Sequence, residues 1–203
     1  MKSVAAGTAT LDAFLARAER GFGLQNFFTF GEGRTWRSHA RGVEGGAAHP
    51  AWALVAAAAE LATGEMLRVE TRATPRAEVP ATAWRPAVAD APHRPRPAAR
   101  EGDRTTLVLV SRRAAGWPDP DGDGTTPVVV DLPFARAARV TRHRMDGALD
   151  ATNIEAPTVG LVAEPAPAGW FADGRLSIPA LLPGQAEIWV FEGVDGVRAE
   201  GDG

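Results

Sequence analysis

The stretch from Gly21 to Gly64, GFGLQNFFTFGEGRTWRSHARGVEGGAAHPAWALVAAAAELATG, falls into three successive parts. Leu24 to Phe30 (LQNFFTF) is a short apolar and aromatic run closed by Gly31, a pattern that predicts a strand buried on both faces. Gly31 to Gly46 is a polar, glycine-rich excursion that carries Glu32, Arg34, Trp36, Arg37 and His39. His49-Pro50 then opens a helix. Pro50 suits the first helical position, where its missing N–H costs nothing, and Gly64 is placed to cap the far end. Strand, loop and covering helix make one βα unit of an α/β protein, with the loop at the carboxyl end of the strand.

Upstream, Leu11, Phe14, Leu15 and Ala18 fall on one stripe of an amphipathic helix that Thr10 is placed to cap and Gly21 to end. In the helix after Pro50, Leu54, Val55, Ala58, Leu61 and Ala62 form a similar stripe. Residues 1–64 therefore read α-β-α. A strand buried on both faces needs hydrogen-bonding neighbours along both edges, and the first 64 residues supply none. Its neighbours are expected from later strands, from a partner chain, or from a barrel region that this chain lacks.

From Glu65 the pattern changes. Met66 to Val79 alternates roughly apolar and polar, as a half-exposed strand does, and Pro75 and Pro80 limit it. Residues 81–104 are rich in Pro, Ala and Arg and read as a long surface loop. Five runs then read as strands: Thr105 to Arg112, Thr126 to Leu132, Ala135 to His143, Arg175 to Ile178 and Ala186 to Glu192, the last two joined by a Leu182-Pro183-Gly184 turn. Short strands with turns between them and no helix predict an antiparallel β-sandwich over residues 65–195, followed by a frayed tail, 196–203. The fold class expected is α/β plus all-β.

Composition narrows the function. With 22 basic and 25 acidic residues among 203, the net charge is -3, which disfavours nucleic acid as a partner. The absence of cysteine excludes disulfides, thiolate metal sites and cysteine nucleophiles. The longest apolar run, Ala51 to Ala59, is too short to span a bilayer, and the first residues lack the apolar core of a secretion signal. A cytoplasmic protein with no membrane partner is the expectation.

The order of helix, buried strand, loop with Gly33-Arg34-Thr35-Trp36-Arg37, His49-Pro50 helix and all-β tail resembles the C-terminal part of a clan A glycoside hydrolase, most closely the family 51 α-L-arabinofuranosidases. Trp36-Arg37 is similar to the Trp-Arg of the loop after their last barrel strand. Asp150 to Val159 (DATNIEAPTV) resembles a segment of their C-terminal sandwich, and Leu181 to Val190 (LLPGQAEIWV) their closing turn and strand. The resemblance implies a partial (β/α)8-barrel segment over 1–64, followed by the sandwich. It also implies that this chain starts beyond the barrel strands whose ends carry the two catalytic carboxylates. Retaining hydrolysis needs that pair about 5 Å apart, so no catalytic residue is assigned here.

Substrate-binding candidates then lie at the end of the buried strand. Trp36 offers an aromatic face on which the C–H face of a sugar stacks, or else plugs the barrel mouth or docks the sandwich. Asn26 has hydrogen-bonding groups for sugar hydroxyls, Phe30 ends the strand, and Glu32 sits just past it. Arg37 and Arg34 are the partners with which Glu32 more simply pairs. Asp119, Asp121 and Asp123 open a D-x-D-x-D-G calcium-loop pattern, yet its twelfth position is Val130 and Pro127 occupies another ligand place. A hairpin loop accounts for the same residues without a metal. Apart from calcium, no cofactor is expected. Two functions stay open. One is a non-catalytic C-terminal portion or subunit of a glycoside hydrolase, lining one wall of the active site beside a partner chain. The other is a stand-alone β-sandwich that binds carbohydrate or is structural.

Overall fold

The computed structural model describes residues 3–18, 20, 48–67, 93–111, 125–153 and 159–195. Over these the chain forms helices α1 (Val4–Ala18) and α2 (Pro50–Leu61). Nine strands accompany them: β1 (Glu65–Leu67), β2 (His93–Glu101), β3 (Arg104–Ser111), β4 (Thr126–Asp131), β5 (Arg139–Met145), β6 (Leu161–Pro165), β7 (Phe171–Ala172), β8 (Arg175–Leu181) and β9 (Ala186–Glu192). They make a six-stranded sheet, β1-β2-β3-β9-β5-β6, and a three-stranded sheet, β4-β8-β7. All the strand pairings are antiparallel. Helices and antiparallel sheets together agree with the α/β plus all-β expectation. Leu24 to Phe30, the strand on which the partial-barrel reading turns, lies outside the described residues.

The two central strands explain the layering. From Thr105 to Ser111, and from Ala186 to Phe191, every residue is buried, so side chains that alternate across the sheet meet cover on both sides. Leu107, Leu109, Trp189 and Phe191 share one core with Leu176, Ile178 and Leu181 of β8 and with Phe134. Val108, Val110, Ile188 and Val190 share another with Val4, Leu11, Leu15, Leu54, Ala57 and Ala58 of the helices. The result is three layers: helix pair, large sheet, small sheet.

Helix α1 starts at Val4, well before Thr10, with Ser3 as its cap: the Ser3 hydroxyl accepts the Ala6 N–H at 3.3 Å. Thr10 instead lies inside the helix, its hydroxyl donating to the Ala6 carbonyl at 2.8 Å. The N–H groups of Val4 and Ala5 donate to the carbonyls of Ala151 and Leu149, so the sandwich satisfies donors that a helix start leaves without intrahelical partners. The buried stripe is Val4, Gly7, Thr8, Leu11 and Leu15, and Phe14 is only half-buried. In α2 the proline sits at the start as expected, and the helix ends at Ala62, two residues before Gly64. The Leu61 carbonyl accepts the Thr106 hydroxyl of the large sheet at 2.7 Å.

The helices cross at Gly7. A Cβ added there would lie 2.8 Å from the Pro50 carbonyl carbon and 2.9 Å from the Ala51 nitrogen, both backbone atoms. Gly7→Ala should therefore destabilise the fold although alanine is the better helix former. Overpacking costs roughly 1–3 kcal/mol against a propensity gain of about 1 kcal/mol. A urea midpoint that rises in the variant would refute this crossing.

Three expectations are corrected. Residues 93–101, within the stretch read as a loop, form β2, paired to β3 along its length. Proline is tolerated because the register shifts between Arg96 and Ala98, which leaves Pro97 at a bulge. The strand expected from Ala135 begins at Arg139; residues 135 and 136 instead donate their N–H groups to the Asp195 carboxylate at 3.1 and 2.9 Å. Strands β6 and β7 were not expected. β7 and β8 form a hairpin closed by Asp173 and Gly174 with φ of 49° and 78°, the positive angles that an Asp-Gly turn requires.

Candidate functional site

Asn26, Phe30, Glu32, Trp36 and Arg37, and the calcium candidates Asp119, Asp121 and Asp123, lie outside the described residues. Among the described residues no group of three His, Asp or Glu side chains is arranged to hold a metal ion. No described helix is long and apolar enough to cross a membrane. What the structure does describe is the place where the polar loop ends, Ala48-His49, and the sandwich segment that holds it.

That segment is the one that carries the family resemblance. Asn153 is buried, and its side-chain amide makes three hydrogen bonds. Nδ2 donates to the Ala48 carbonyl at 2.8 Å and to the Val159 carbonyl at 2.7 Å, while Oδ1 accepts the Val159 N–H at 2.8 Å. One side chain thus closes its own loop, from Asn153 to Val159, and ties it to the residue before the α2 cap. Ser3, bridged to Thr152, brings the start of α1 to the same loop. Asparagine suits the position because it offers two donors and an acceptor without charge. The sequence marked this residue by its motif, but its Ala48 partner lies 105 residues away in the chain.

A second constellation, not singled out by the sequence reading, lies between the sheets. Arg142 on β5, opposite Trp189 on β9 and Glu164 on β6, faces the small sheet with them. Its Nη2 donates to Glu187 Oε1 and its Nη1 to Glu164 Oε1 at 3.1 Å. Arg144 Nε reaches the same Glu164 oxygen at 2.9 Å. Glu187 is fully buried, and its second oxygen accepts the Trp189 indole N–H at 2.9 Å. The Arg142 guanidinium lies 5.3 Å from the ring centre of Trp170 and 5.7 Å from that of Trp189. The bond from Arg144 holds the Glu164 carboxyl below the usual glutamate range, and the bond to Glu164 raises Arg144. Both stay charged at neutral pH. Arg142 and Arg144 on β5 and Glu187 on β9 were visible in the sequence, but charges on strands ordinarily face water.

On the opposite face of β5, alternation turns His143 toward the helix layer with Met145. Burial lowers its pKa below the ordinary histidine value, and Glu60 of α2 opposes the shift only partly. A depressed histidine pKa favours the neutral ring in the fold, so its contribution is complete above the unfolded value near 6.5 and is lost as pH falls below it. The melting temperature should fall from pH 7.5 to 5.5 more steeply in the native chain than in His143→Gln. Equal slopes would show that His143 is not the group.

No protein-family model and no curated protein matches the sequence. Among solved structures, the chain is similar to an α-L-arabinofuranosidase from Thermotoga maritima in complex with arabinose, at 15% identity and a TM-score of 0.39. A second similar structure is a thermostable family GH51 α-L-arabinofuranosidase from Thermotoga petrophila RKU-1, at 16% identity and a TM-score of 0.38. Each match covers 50% of this chain and 19% of the enzyme, so the chain spans about a fifth of those proteins.

Proposed function

We propose that this chain is a non-catalytic C-terminal portion or subunit of a glycoside hydrolase acting on arabinofuranosyl-type or related plant-type glycans. The sandwich is its stabilising body, and the loop of residues 31–46, with Trp36 and Arg37, lines one wall of the active site. The observation that carries this reading is the hydrogen bond from Asn153 to the Ala48 carbonyl. It joins the most specific motif of the resemblance to the end of the loop that holds the substrate-binding candidates. A segment that anchors such a loop is what an ancillary sandwich needs. Both carboxylates come from the remainder of the barrel, in a preceding region or a partner chain.

The test is hydrolysis of an aryl α-L-arabinofuranoside by this chain alone and by the full protein or complex that contains it. The chain alone should be inactive and the complex active, with Trp36→Ala lowering kcat/KM of the complex about tenfold, a loss of about 1.4 kcal/mol. Hydrolysis by the chain alone would overturn the missing carboxylates; an inactive complex would overturn the hydrolase assignment.

One observation favours a second reading. Both helices already share a continuous core with this chain's own sheet, as expected of a stand-alone β-sandwich that binds carbohydrate or is structural. A stable monomer in sedimentation, with no associated barrel chain and no barrel region in the full protein, would support it over the first.

A further inference from the structure

In an antiparallel ladder the N–H and C=O of one residue point together to one neighbouring strand, and those of the next residue point to the other side. Three backbone bonds fix this phase along the sheet edges. Leu132 donates its N–H to the Gly174 carbonyl at 2.7 Å, in register with Val130 opposite Leu176 and Val128 opposite Ile178. Val128 and Val130 therefore turn their backbone groups to β8, while Pro127, Val129 and Asp131 turn theirs to the outer edge of β4. Ala166 donates to the Val140 carbonyl at 3.0 Å, in register with Pro165 opposite Thr141, so Leu161, Ala163 and Pro165 face the outer edge of β6. Ser111 donates to the Gln185 carbonyl on the β9 side. Val108 and Val110 thus face β2, where Arg94 and Arg96 meet them, and Pro95 between those two faces outward. Among the described residues no further strand pairs with β4, with β6 or with the first half of β2. The other outer strands, β1 and β7, run only three and two residues.

We infer that Pro95, Pro127 and Pro165 are edge guards, which keep this chain from pairing strand to strand with a second copy of itself. Each sits in the outward phase, where an incoming strand needs an N–H to donate, and proline has none. Edges too short to template a partner, as at β1 and β7, need no such guard. At β4 the guard matters most. Val128-Val129-Val130 is an uncharged, β-branched run of the kind that adds strands. Val129, at 61%, is the most exposed large apolar side chain among the described residues, and its N–H and C=O face the same open edge. The inference stands on the sheet register alone and does not require the hydrolase reading.

Pro127→Val restores an N–H on the outer edge without removing a ladder bond, so the dilute variant should melt within a few degrees of the native protein. In sedimentation velocity at matched concentrations it should self-associate about tenfold more strongly, a change of about 1.4 kcal/mol. Amide exchange at Val129 and Asp131 should slow as it associates, because those N–H groups enter a new ladder. Val129→Lys in the same background should reverse the association, as lysines on natural edge strands do. Pro165→Val carries the test to β6, with the Ala163 amide as reporter. Association unchanged in both variants would show prolines that are merely tolerated. Association that leaves these reporter amides exchanging freely would place the contact elsewhere. Either result overturns the guard.

Discussion

Arg142→Ala should be among the most damaging single substitutions in the described sandwich, costing about 3–5 kcal/mol. It leaves the fully buried Glu187 carboxylate with the Trp189 indole N–H as its one hydrogen bond and Arg144 nearby by charge alone. The reverse substitution, Glu187→Ala, should cost less, about 2–3 kcal/mol, because Arg142 keeps Glu164 as a partner. The order of these two effects follows from geometry: Arg142 hydrogen-bonds two carboxylates, whereas Glu187 hydrogen-bonds one arginine and has Arg144 near it by charge alone. Replacing both by leucine removes the charges together and should cost less than Arg142→Ala alone, since a buried ion pair rarely outperforms well-packed apolar groups. Urea titrations with unchanged m-values would measure all three. A cost below about 1 kcal/mol for Arg142→Ala would place the pair in the class of solvated surface bridges.

Asn153→Ala comes next, at about 3 kcal/mol. Two buried backbone groups, the Val159 carbonyl and N–H, and the part-buried Ala48 carbonyl lose their partner, and each buried group stranded costs about 1–3 kcal/mol before local relaxation. Asn153→Asp sharpens the test. The carboxylate still accepts the Val159 N–H but faces two carbonyls it cannot donate to, so it should be no better than alanine at neutral pH. Acidification through the carboxyl's elevated range should partly restore it, by returning one O–H donor. Amide exchange at Val159 should accelerate in both variants. If it does not, the loop is held by something other than Asn153.

Much of the sheet layer was legible. The runs at Thr105 to Arg112 and Ala186 to Glu192, read as strands, correspond to the two strands covered on both faces, β3 and β9, within one residue at each end. Pro50 marked the start of α2. Elsewhere local chemistry misled. Prolines argued against a strand at 93–101, yet the bulge at Pro97 absorbs the missing donor. Thr10 resembled a cap, while the actual cap is Ser3, and the next N–H groups, of Val4 and Ala5, donate to the carbonyls of Ala151 and Leu149 far along the chain. The Asp173-Gly174 hairpin did carry a sequence signal, an Asp-Gly pair of the kind that closes two-residue turns. Of the candidate site, the sequence singled out the Asn153 motif but not what it holds, and none of the substrate-binding candidates chosen from sequence falls among the described residues.

The sequence by itself marked where core strands and helices lie, because burial is written in the spacing of side chains along a strand or helix. Only the tertiary structure decided that the cover is a helix pair on one side and a three-stranded sheet on the other. It alone placed Asn153 against Ala48 and Arg142 against Glu187, since hydrogen bonds and ion pairs between residues dozens of positions apart leave no periodic trace in the chain.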